Sequence, residues 1–278
     1  MSEYVSHLER IGSGLGTGRV LVHSDMFRVR SAVRNSSSVE QMLSNHIELL
    51  GTIVPYDRLL FPTFNYDFLR TGFYHVRTDI SQVGPLSEYA RTCWSQWRSS
   101  MPVFNVCGIG SFNNKSVDNR IIDPFGSESI FAELYDEAGS LLFYGSKMAS
   151  ATAIHYIERK SGGPVYRYDK MFSGLVVNNN ASQQVTFKYH CRPYGFSLDY
   201  NFEKIESHLM LQGVIKAIDL PGFTVKLVNY RAMVDFLVNK IDEDPLFLLD
   251  DNSYKWVSAK MDLLGRRFEI NDFEAGSV

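Results

Sequence analysis

The sequence predicts an α/β protein with a central mixed β-sheet flanked by helices on both faces, and a smaller mixed segment in its C-terminal half. Three observations support this prediction. Short apolar runs alternate with helical periodicity between about residues 19 and 160, as expected of a layered α/β core. This alternation of strand and helix patterns ends at SGGP (161–164). With 278 residues, 45% of them apolar, the chain can form one large domain, which we expect to span 1–278.

The first half of the core contains three predicted strands and two helices. RVLVHS (19–24) is a continuous apolar run typical of a buried strand. Apolar residues then recur at helical spacing over 39–50. RLLFPTF (58–64) predicts a second strand, 86–97 a second helix, and VFNVCGIG (103–110) a third strand.

The second half of the core repeats the alternation. Residues 127–137 predict a helix, with Ser127 as its N-cap and Gly139 near its C-terminal end. SLLFYG (140–145) predicts a strand, and 149–159 the helix that follows it. We therefore place the α/β core at about 19–160.

The segment from 161 to 278 has a different pattern. Residues 166–180 and 183–193 predict two strands around a polar turn. A helix over 202–211, a strand near 222–228 and a helix near 230–240 follow, and then a polar tail. We expect an inserted mixed segment and a C-terminal part that packs on the core or forms a small lobe.

Composition excludes several classes of protein. The net charge of −3 and a pI near 6.2 argue against a nucleic-acid-binding protein. No apolar run approaches the roughly 18 residues that span a bilayer, and the first residues lack the apolar region of a signal peptide. The three cysteines are far apart and form no C-x-x-C pair. We expect a cytoplasmic protein with no metal, no nucleic-acid partner and no membrane partner, and leave a homo-oligomer open.

The glycine-rich segment GSGLGTG (12–18) resembles a dinucleotide-binding turn. Its spacing fails, because Thr17 stands where the third glycine belongs. It also precedes a strand, whereas a phosphate-binding turn follows one. We interpret it as a flexible loop.

The strongest chemical pattern is Thr152, His155 and Glu158, which lie three residues apart on one face of the helix after SLLFYG. A histidine accepts a proton near neutral pH. A nearby carboxylate holds the imidazole in place and stabilises its protonated form. The spacing therefore indicates a general base, His155, oriented by Glu158, although many such pairs lie on protein surfaces.

LLFYGSKMASATAIHYIE (141–158) resembles the segment of aminoglycoside 3-N-acetyltransferases that carries the base. Other blocks of the chain resemble that family in the same order. These blocks are RVLVHSDMF (19–27), LLFPTF (59–64), VGPLSEYAR (83–91), RSSMPVFNVCGIG (98–110) and DPFGSESIFAELYDEAGSLLFYG (123–145). The resemblance covers about 19–160. Met101 departs from it, standing where the family usually has the histidine of Arg-Ser-x-His-Pro, and Asn105 stands where it often has serine.

The resemblance implies an acyl-CoA-dependent N-acyltransferase without a metal, in which His155 takes the proton of the attacking amine. It implies a coenzyme A site with these residues: Ser24, Thr63, Ser81, Val83, Gly84, Arg98 and Ser99. Guanidinium groups such as that of Arg98 pair well with phosphates. Oxyanion donors are expected among the backbone N–H groups of 81–84 and the hydroxyls of Thr63 and Ser81.

The region after 160, including FKYHCRP (187–193), looks more like relatives that acylate nucleotide-linked amino sugars. The main expectation is therefore transfer to an amino-deoxy sugar on a nucleotide, such as a dTDP-linked 3- or 4-amino dideoxysugar. The loop after LLFPTF supplies the sugar-binding candidates Asn65, Asp67, His75 and Arg77. His190 and Arg192 are candidates for contacting the pyrophosphate, and either could equally be a charge at a strand edge.

Three other functions remain open. An aminoglycoside acceptor would favour a cleft lined with carboxylates, whereas a nucleotide sugar needs cationic or N–H groups. A hydrolase would use His155 to activate serine or water without a coenzyme. A non-catalytic binding protein of the same fold would tolerate loss of His155.

Overall fold

A computed structural model of the protein describes residues 2–33, 36–111, 117–179 and 181–274. The strands are β1 (Val20–Ser24), β2 (Leu59–Pro62), β3 (Phe73–His75), β4 (Trp97–Arg98), β5 (Val106–Gly108), β6 (Arg120–Ile122), β7 (Ser140–Tyr144), β8 (Tyr168–Asn178), β9 (Ala181–Cys191), β10 (Ile215–Leu220) and β11 (Phe223–Asn229). The α-helices are α1 (Ser2–Gly12), α2 (Met26–Val29), α3 (Val39–Gly51), α4 (Phe68–Thr71), α5 (Pro85–Tyr89), α6 (Ile130–Asp136), α7 (Ile154–Lys160), α8 (Phe202–Leu211), α9 (Tyr230–Glu243) and α10 (Asp251–Leu264).

The main sheet has seven strands in the order β10-β11-β7-β1-β2-β5-β4. β1 pairs in parallel with both β7 and β2, while the remaining pairs in this sheet are antiparallel. The carboxyl ends of β7, β1 and β2 therefore meet at one edge of the sheet, where α/β proteins place their ligand crevice. This arrangement confirms the predicted mixed central sheet.

Helices cover both faces of this sheet. Along β1, the side chains of Val20 and Val22 pack in one hydrophobic cluster with residues of α1 and α3. Leu21, between them, packs in the opposite cluster with residues of α6, α7 and α9. This alternation follows from the two-residue period of a strand. It explains why RVLVHS is a continuous apolar run.

A second sheet of four strands has the order β3-β8-β9-β6. Its centre is the long hairpin of β8 and β9, and β3 and β6 add in parallel at its two edges. Phe187 of β9 and Val176 of β8 are buried in the cluster that also covers one face of the main sheet. The hairpin is thereby packed against the core beside α7.

Several element boundaries differ from the sequence prediction. The helix predicted over 86–97 is α5 followed by a π-helical turn at Ala90–Trp94, and the chain then enters β4. The N-cap of α6 is Ser129, whose Oγ accepts from Ala132 N, rather than Ser127. A 3-10 turn at Met148–Ser150 precedes α7, which begins at Ile154 instead of near 149.

The C-terminal region contains more structure than its sequence pattern indicated. β10 pairs with β11 and extends the main sheet, and α10 occupies the stretch predicted as a polar tail. α10 presents Val257 to a small cluster with Leu198, Leu249 and Phe268. Within the described ranges, no helix is long and apolar enough to cross a membrane.

Candidate active site

α7 carries the candidate base to the edge of the main sheet where the parallel strands end. The chain leaves β7 at Tyr144, passes through the 3-10 turn and enters α7 at Ile154. Ile154 and Ile157 of α7 are buried in the core, so the first turn of the helix is fixed by packing. His155 and Glu158 follow on a neighbouring face, three residues apart.

The two side chains form a direct hydrogen bond. His155 Nδ1 lies 2.9 Å from Glu158 Oε2. Since a carboxylate only accepts, Nδ1 carries the proton and Nε2 keeps the lone pair that accepts one from a substrate. The ring is also wedged against Phe125, with 5.2 Å between ring centroids. This is the geometry of a general base held in one tautomer by a carboxylate.

Glu158 is 1% exposed and is surrounded by donors. Its Oε1 accepts from the hydroxyls of Tyr166 and Tyr200 at 2.8 and 2.7 Å. Its Oε2 lies 3.4 Å from Arg167 Nε and 3.3 Å from His190 Nε2, although these two atoms are too poorly aligned to form hydrogen bonds. The buried carboxylate is thus paired with a buried guanidinium, which is what its burial requires.

The surroundings lower the pKa values of both His155 and Glu158. Burial lowers the pKa of His155 to about 4, and the Glu158 carboxylate opposes only part of that shift. Burial alone would raise the pKa of Glu158, but the Arg167 charge and the hydrogen bond from His155 hold it well below its usual value. At neutral pH the pair is therefore a neutral imidazole beside an ionised carboxylate. That is the state a general base requires.

Two cavities meet beside His155. The His155 cavity has a volume of about 400 Å³ and is lined mainly by aromatic and basic residues of the β8–β9 hairpin and the loops around it. The strand-end cavity has a volume of about 230 Å³ and lies where β1 and β2 end, lined by Ser24 and Pro62 among others. Tyr66 and Thr152 line both cavities. Two substrates bound in these cavities would therefore meet next to the base.

His155, Glu158 and His190 are also the described residues that could hold a metal, since their ligand atoms lie within 4.8 Å of one another. The Arg167 guanidinium lies 3.4 Å from the same Glu158 oxygen that a metal would use. A fixed positive charge at that distance opposes binding of a cation. The cluster fits acid–base chemistry better than metal binding.

The sequence profile of one family, aminoglycoside 3-N-acetyltransferase, matches residues 21–242, which is most of the chain. The chain belongs to the aminoglycoside 3-N-acetyltransferase family. Members of this family are coenzyme A-dependent N-acetyltransferases, which confirms the predicted enzyme class and its acyl-CoA co-substrate. No curated protein sequence matches the chain closely enough to count as a relative.

Solved structures show the same fold. AAC-IIIb in binary complex with CoASH is 17% identical, with a TM-score of 0.68 over 87% of this chain and 96% of that one. A histidine-to-alanine mutant of AAC(3)-IVa in complex with a gentamicin is 19% identical, with a TM-score of 0.68 over 91% and 92%. The YokD protein from Bacillus subtilis is 14% identical, with a TM-score of 0.63 over 86% and 93%. The predicted α/β fold is confirmed.

In this acetyltransferase, two of the predicted coenzyme residues, Ser24 and Val83, line the strand-end cavity. The cavity also contains an unused polar group, because His23 Nε2 is buried there without a hydrogen-bond partner among the described residues. Gly84 is exposed and begins α5 with φ at 119°, a backbone conformation that favours glycine. Ser81 Oγ is likewise buried without a partner in the described chain. Its N–H is engaged by Glu88 at 2.8 Å.

Arg98, Thr63 and Ser99 are buried below this surface. Arg98 Nε donates to Thr63 Oγ1 at 3.1 Å and to Asn105 Oδ1 at 2.8 Å, and its terminal nitrogens donate to the carbonyls of Thr63, Val76 and Asp79. Thr63 Oγ1 in turn lies 2.7 Å from Asn105 Oδ1, so its hydroxyl is used within the protein. The side chain of Ser99 accepts from Val106 N. The polar groups of these three residues are thus used in hydrogen bonds within the protein.

The four predicted sugar-binding residues do not line the His155 cavity. Asn65 is 3% exposed and hydrogen-bonds Ile80 O at 2.9 Å and Asp67 N at 2.9 Å, which folds the loop after β2. His75 is exposed at the end of β3, and Arg77 is exposed two residues further on, where it lines a different cavity next to Arg98. Their binding roles stay predictions.

The His155 cavity is formed instead by residues that sequence reasoning largely missed. Its aromatic walls include Tyr66, Phe104 and Tyr189. Its charged lining residues are Arg167, Arg192 and Glu274. Apart from His155, the sequence indicates only Thr152, His190 and Arg192 among the residues that line this cavity. His190 is buried on the opposite side of β9 from Val185 and Phe187, so the two-residue alternation along the strand gives no signal for it.

Proposed function

We propose that this protein transfers an acetyl group from acetyl-CoA to a primary amine on an amino sugar, with His155 as the general base and Glu158 as its positioning residue. The observation that carries the proposal is the His155–Glu158 hydrogen bond of 2.9 Å at the junction of two cavities. Membership of the acetyltransferase family supports it.

The residues present account for each proton. His155 Nε2 takes a proton from the amine as its nitrogen forms a bond to the thioester carbonyl carbon. The carbon–sulfur bond then breaks, and His155 returns the proton to the departing sulfur. The products are an amide and a free thiol. General-base catalysis of this kind contributes about 10²–10⁴-fold to a rate. Ser81 is one of the predicted coenzyme residues and its Oγ is buried without a partner in the described chain, so we propose it as an oxyanion donor.

The first candidate acceptor is an aminoglycoside. The family profile and the gentamicin complex of AAC(3)-IVa support it. A hydrolase or a pure binding protein is disfavoured by the same family membership. The strand-end cavity with its unpaired His23 nitrogen supports a ligand there beyond the acceptor.

The second candidate acceptor is an amino sugar linked to a nucleotide, and the charge of the His155 cavity favours it. Arg167 is neutralised by Glu158, and Glu274 is bound by Lys170 Nζ at 2.5 Å. Arg192 forms no ion pair within the part of the chain that the structure describes. The cavity thus has one unbalanced positive charge and no unpaired carboxylate among its described lining residues. A polycationic drug would be repelled and a phosphate attracted.

A thiol-release assay on the purified protein tests the proposal. Acetyl-CoA is presented with gentamicin and, separately, with a dTDP-linked amino sugar. Release with either acceptor supports acetyl transfer, and the ratio of the two kcat/KM values identifies the acceptor class. Arg192→Glu should shift that ratio towards gentamicin by at least about tenfold, because it reverses the unbalanced charge. No release above the rate without acceptor would refute the proposed function.

A further inference from the structure

A third cavity lies beside β4, the edge strand of the seven-stranded sheet. This β4-edge cavity has a volume of about 700 Å³ and is lined by residues 76–78, 91–92, 95–98 and 178–179. It shares no lining residue with the His155 cavity or the strand-end cavity. Its volume falls within the range of small-molecule sites.

The charge of this cavity is one-sided. Three of its lining residues are arginines, and none of its described lining residues is acidic. Arg91 is neutralised, because it donates to both oxygens of Glu88 at 2.8 and 2.6 Å. Arg98 is 7% exposed, yet its hydrogen-bond partners are neutral oxygens rather than carboxylates.

Arg77 supplies a second charge that is not locally balanced. Its side chain is exposed and forms no ion pair among the described residues. The nearest acidic side chain in sequence, Asp79, accepts instead from His75 N at 2.8 Å and lies 3.5 Å from the His75 ring. Arg77 is therefore free to donate to a ligand. A buried guanidinium without an acid partner and a free one beside it create a positive potential in a concave site.

The wall of the cavity contains an unusual backbone feature. Ala90–Trp94 form a π-helical turn, closed by a hydrogen bond of 2.7 Å from Ser95 N to Ala90 O. Such turns are rare, and they frequently occur at functional sites. This one places Arg91 and Thr92 on the cavity wall.

We propose that the β4-edge cavity binds an organic phosphate, with Arg77 donating to the phosphate oxygens and Arg98 supplying buried positive charge. Guanidinium groups match phosphate geometry, and the hydroxyls of Thr78 and Thr92 provide neutral donors on the same wall. The phosphate has two potential sources: the nucleotide end of the coenzyme or a separate nucleotide.

The first source rests on the proposed function. Ser87 lines the strand-end cavity, and Arg91 lines the β4-edge cavity. Arg91 follows Ser87 by four residues, which corresponds to about 6 Å of helix rise. The two cavities therefore lie along one helical segment, within the reach of a single extended coenzyme A molecule.

Calorimetric titration of the purified protein with adenosine 3′,5′-bisphosphate tests the proposal. We expect binding to the wild type, and at least about tenfold weaker binding to Arg77→Gln, since a charge-assisted hydrogen bond is lost. Arg70→Gln is the matched control. Arg70 is an exposed arginine of α4 whose side chain is 78% accessible, and it lines none of the three cavities. It should bind like the wild type.

A second titration, on protein saturated with coenzyme A, separates the two sources. Loss of the bisphosphate heat assigns the cavity to the coenzyme's nucleotide end, and retention of that heat assigns it to a separate phosphate ligand. Absence of binding to the wild type, or equal affinities of Arg77→Gln and Arg70→Gln, overturns the proposal. Neither result depends on acetyl transfer, so a failed thiol-release assay would leave this test intact.

Discussion

Replacing Glu158 by glutamine removes one charge from the centre of the candidate site and almost no volume. The carboxylate accepts from two tyrosine hydroxyls and from His155 Nδ1, and it lies 3.4 Å from Arg167 Nε. An amide has only one acceptor oxygen. Either its NH₂ group faces the His155 N–H and the Arg167 guanidinium, or it faces the two hydroxyls. In both orientations Arg167, which is 2% exposed, keeps a buried charge without a counter-ion.

The structure gives a magnitude for both stability and rate. Leaving one partner of a buried ion pair uncompensated costs about 3–5 kcal/mol. The free energy of unfolding of Glu158→Gln should fall by that amount, within the typical total of about 5–15 kcal/mol, so the variant still folds at 25 °C. The rate should fall further than stability explains. His155 loses the carboxylate that fixes its tautomer, and kcat should drop by about 10²–10⁴-fold.

Urea denaturation and thiol release on the same preparation measure these two effects. Glu137→Gln is the control, because Glu137 is a surface acid that pairs with Arg19 on a half-exposed face. It should change stability by less than about 1 kcal/mol and leave kcat unaltered. If Glu158→Gln kept a kcat within about twofold of the wild type while folded, Glu158 would not position the base.

Two further predictions concern stability. Burial lowers the pKa of His23, His46 and His155 to about 4, whereas an unfolded histidine titrates near 6.5. Between these values the unfolded chain binds more protons, so the urea midpoint should fall as pH drops from 6.5 towards 4, and a flat midpoint would contradict the burial of these rings. Arg98→Lys should lower the free energy of unfolding by about 3 kcal/mol, because an ammonium cannot replace the fork that holds the carbonyls of Thr63, Val76 and Asp79. A midpoint equal to that of Arg70→Lys would contradict this account.

Local patterns in the sequence predicted the core of this fold well. The continuous apolar runs at 19–24 and 140–145 are β1 and β7, neighbours at the centre of the main sheet. The spacing of His155 and Glu158 predicted a pair that the structure joins at 2.9 Å. Both predictions depended on residues close in sequence, where periodicity carries the information.

The groups around that pair could not be found in the same way. Tyr166, Arg167 and Tyr200 reach Glu158 through chain segments that fold back from beyond residue 160. Nothing in their local sequence states which helix they will contact. The sugar-binding prediction illustrates the opposite problem. Asn65 and Arg77 are close in the sequence, yet α4 and β3 turn the chain between them, and Arg77 lines a different cavity.

The unpredicted elements also have physical reasons. β10 has six residues, of which only Ile215 and Leu220 are buried, and it is stabilised by its antiparallel partner β11 rather than by its own pattern. α10 presents only Ser253 and Val257 as buried side chains, so its sequence reads as polar. The π-helical turn after α5 leaves no clear signal, because it changes backbone hydrogen bonding and not the hydrophobic pattern.

The most direct test of the central claim compares the wild type with His155→Asn in the thiol-release assay, with acetyl-CoA and whichever acceptor supports the higher rate. Asparagine retains a donor towards Glu158 and cannot take a proton near neutral pH. The account predicts a loss of kcat of at least about 10²-fold with an unchanged far-ultraviolet circular dichroism spectrum. A His155→Asn variant that releases thiol at the wild-type rate would contradict it, and the base would have to be sought elsewhere.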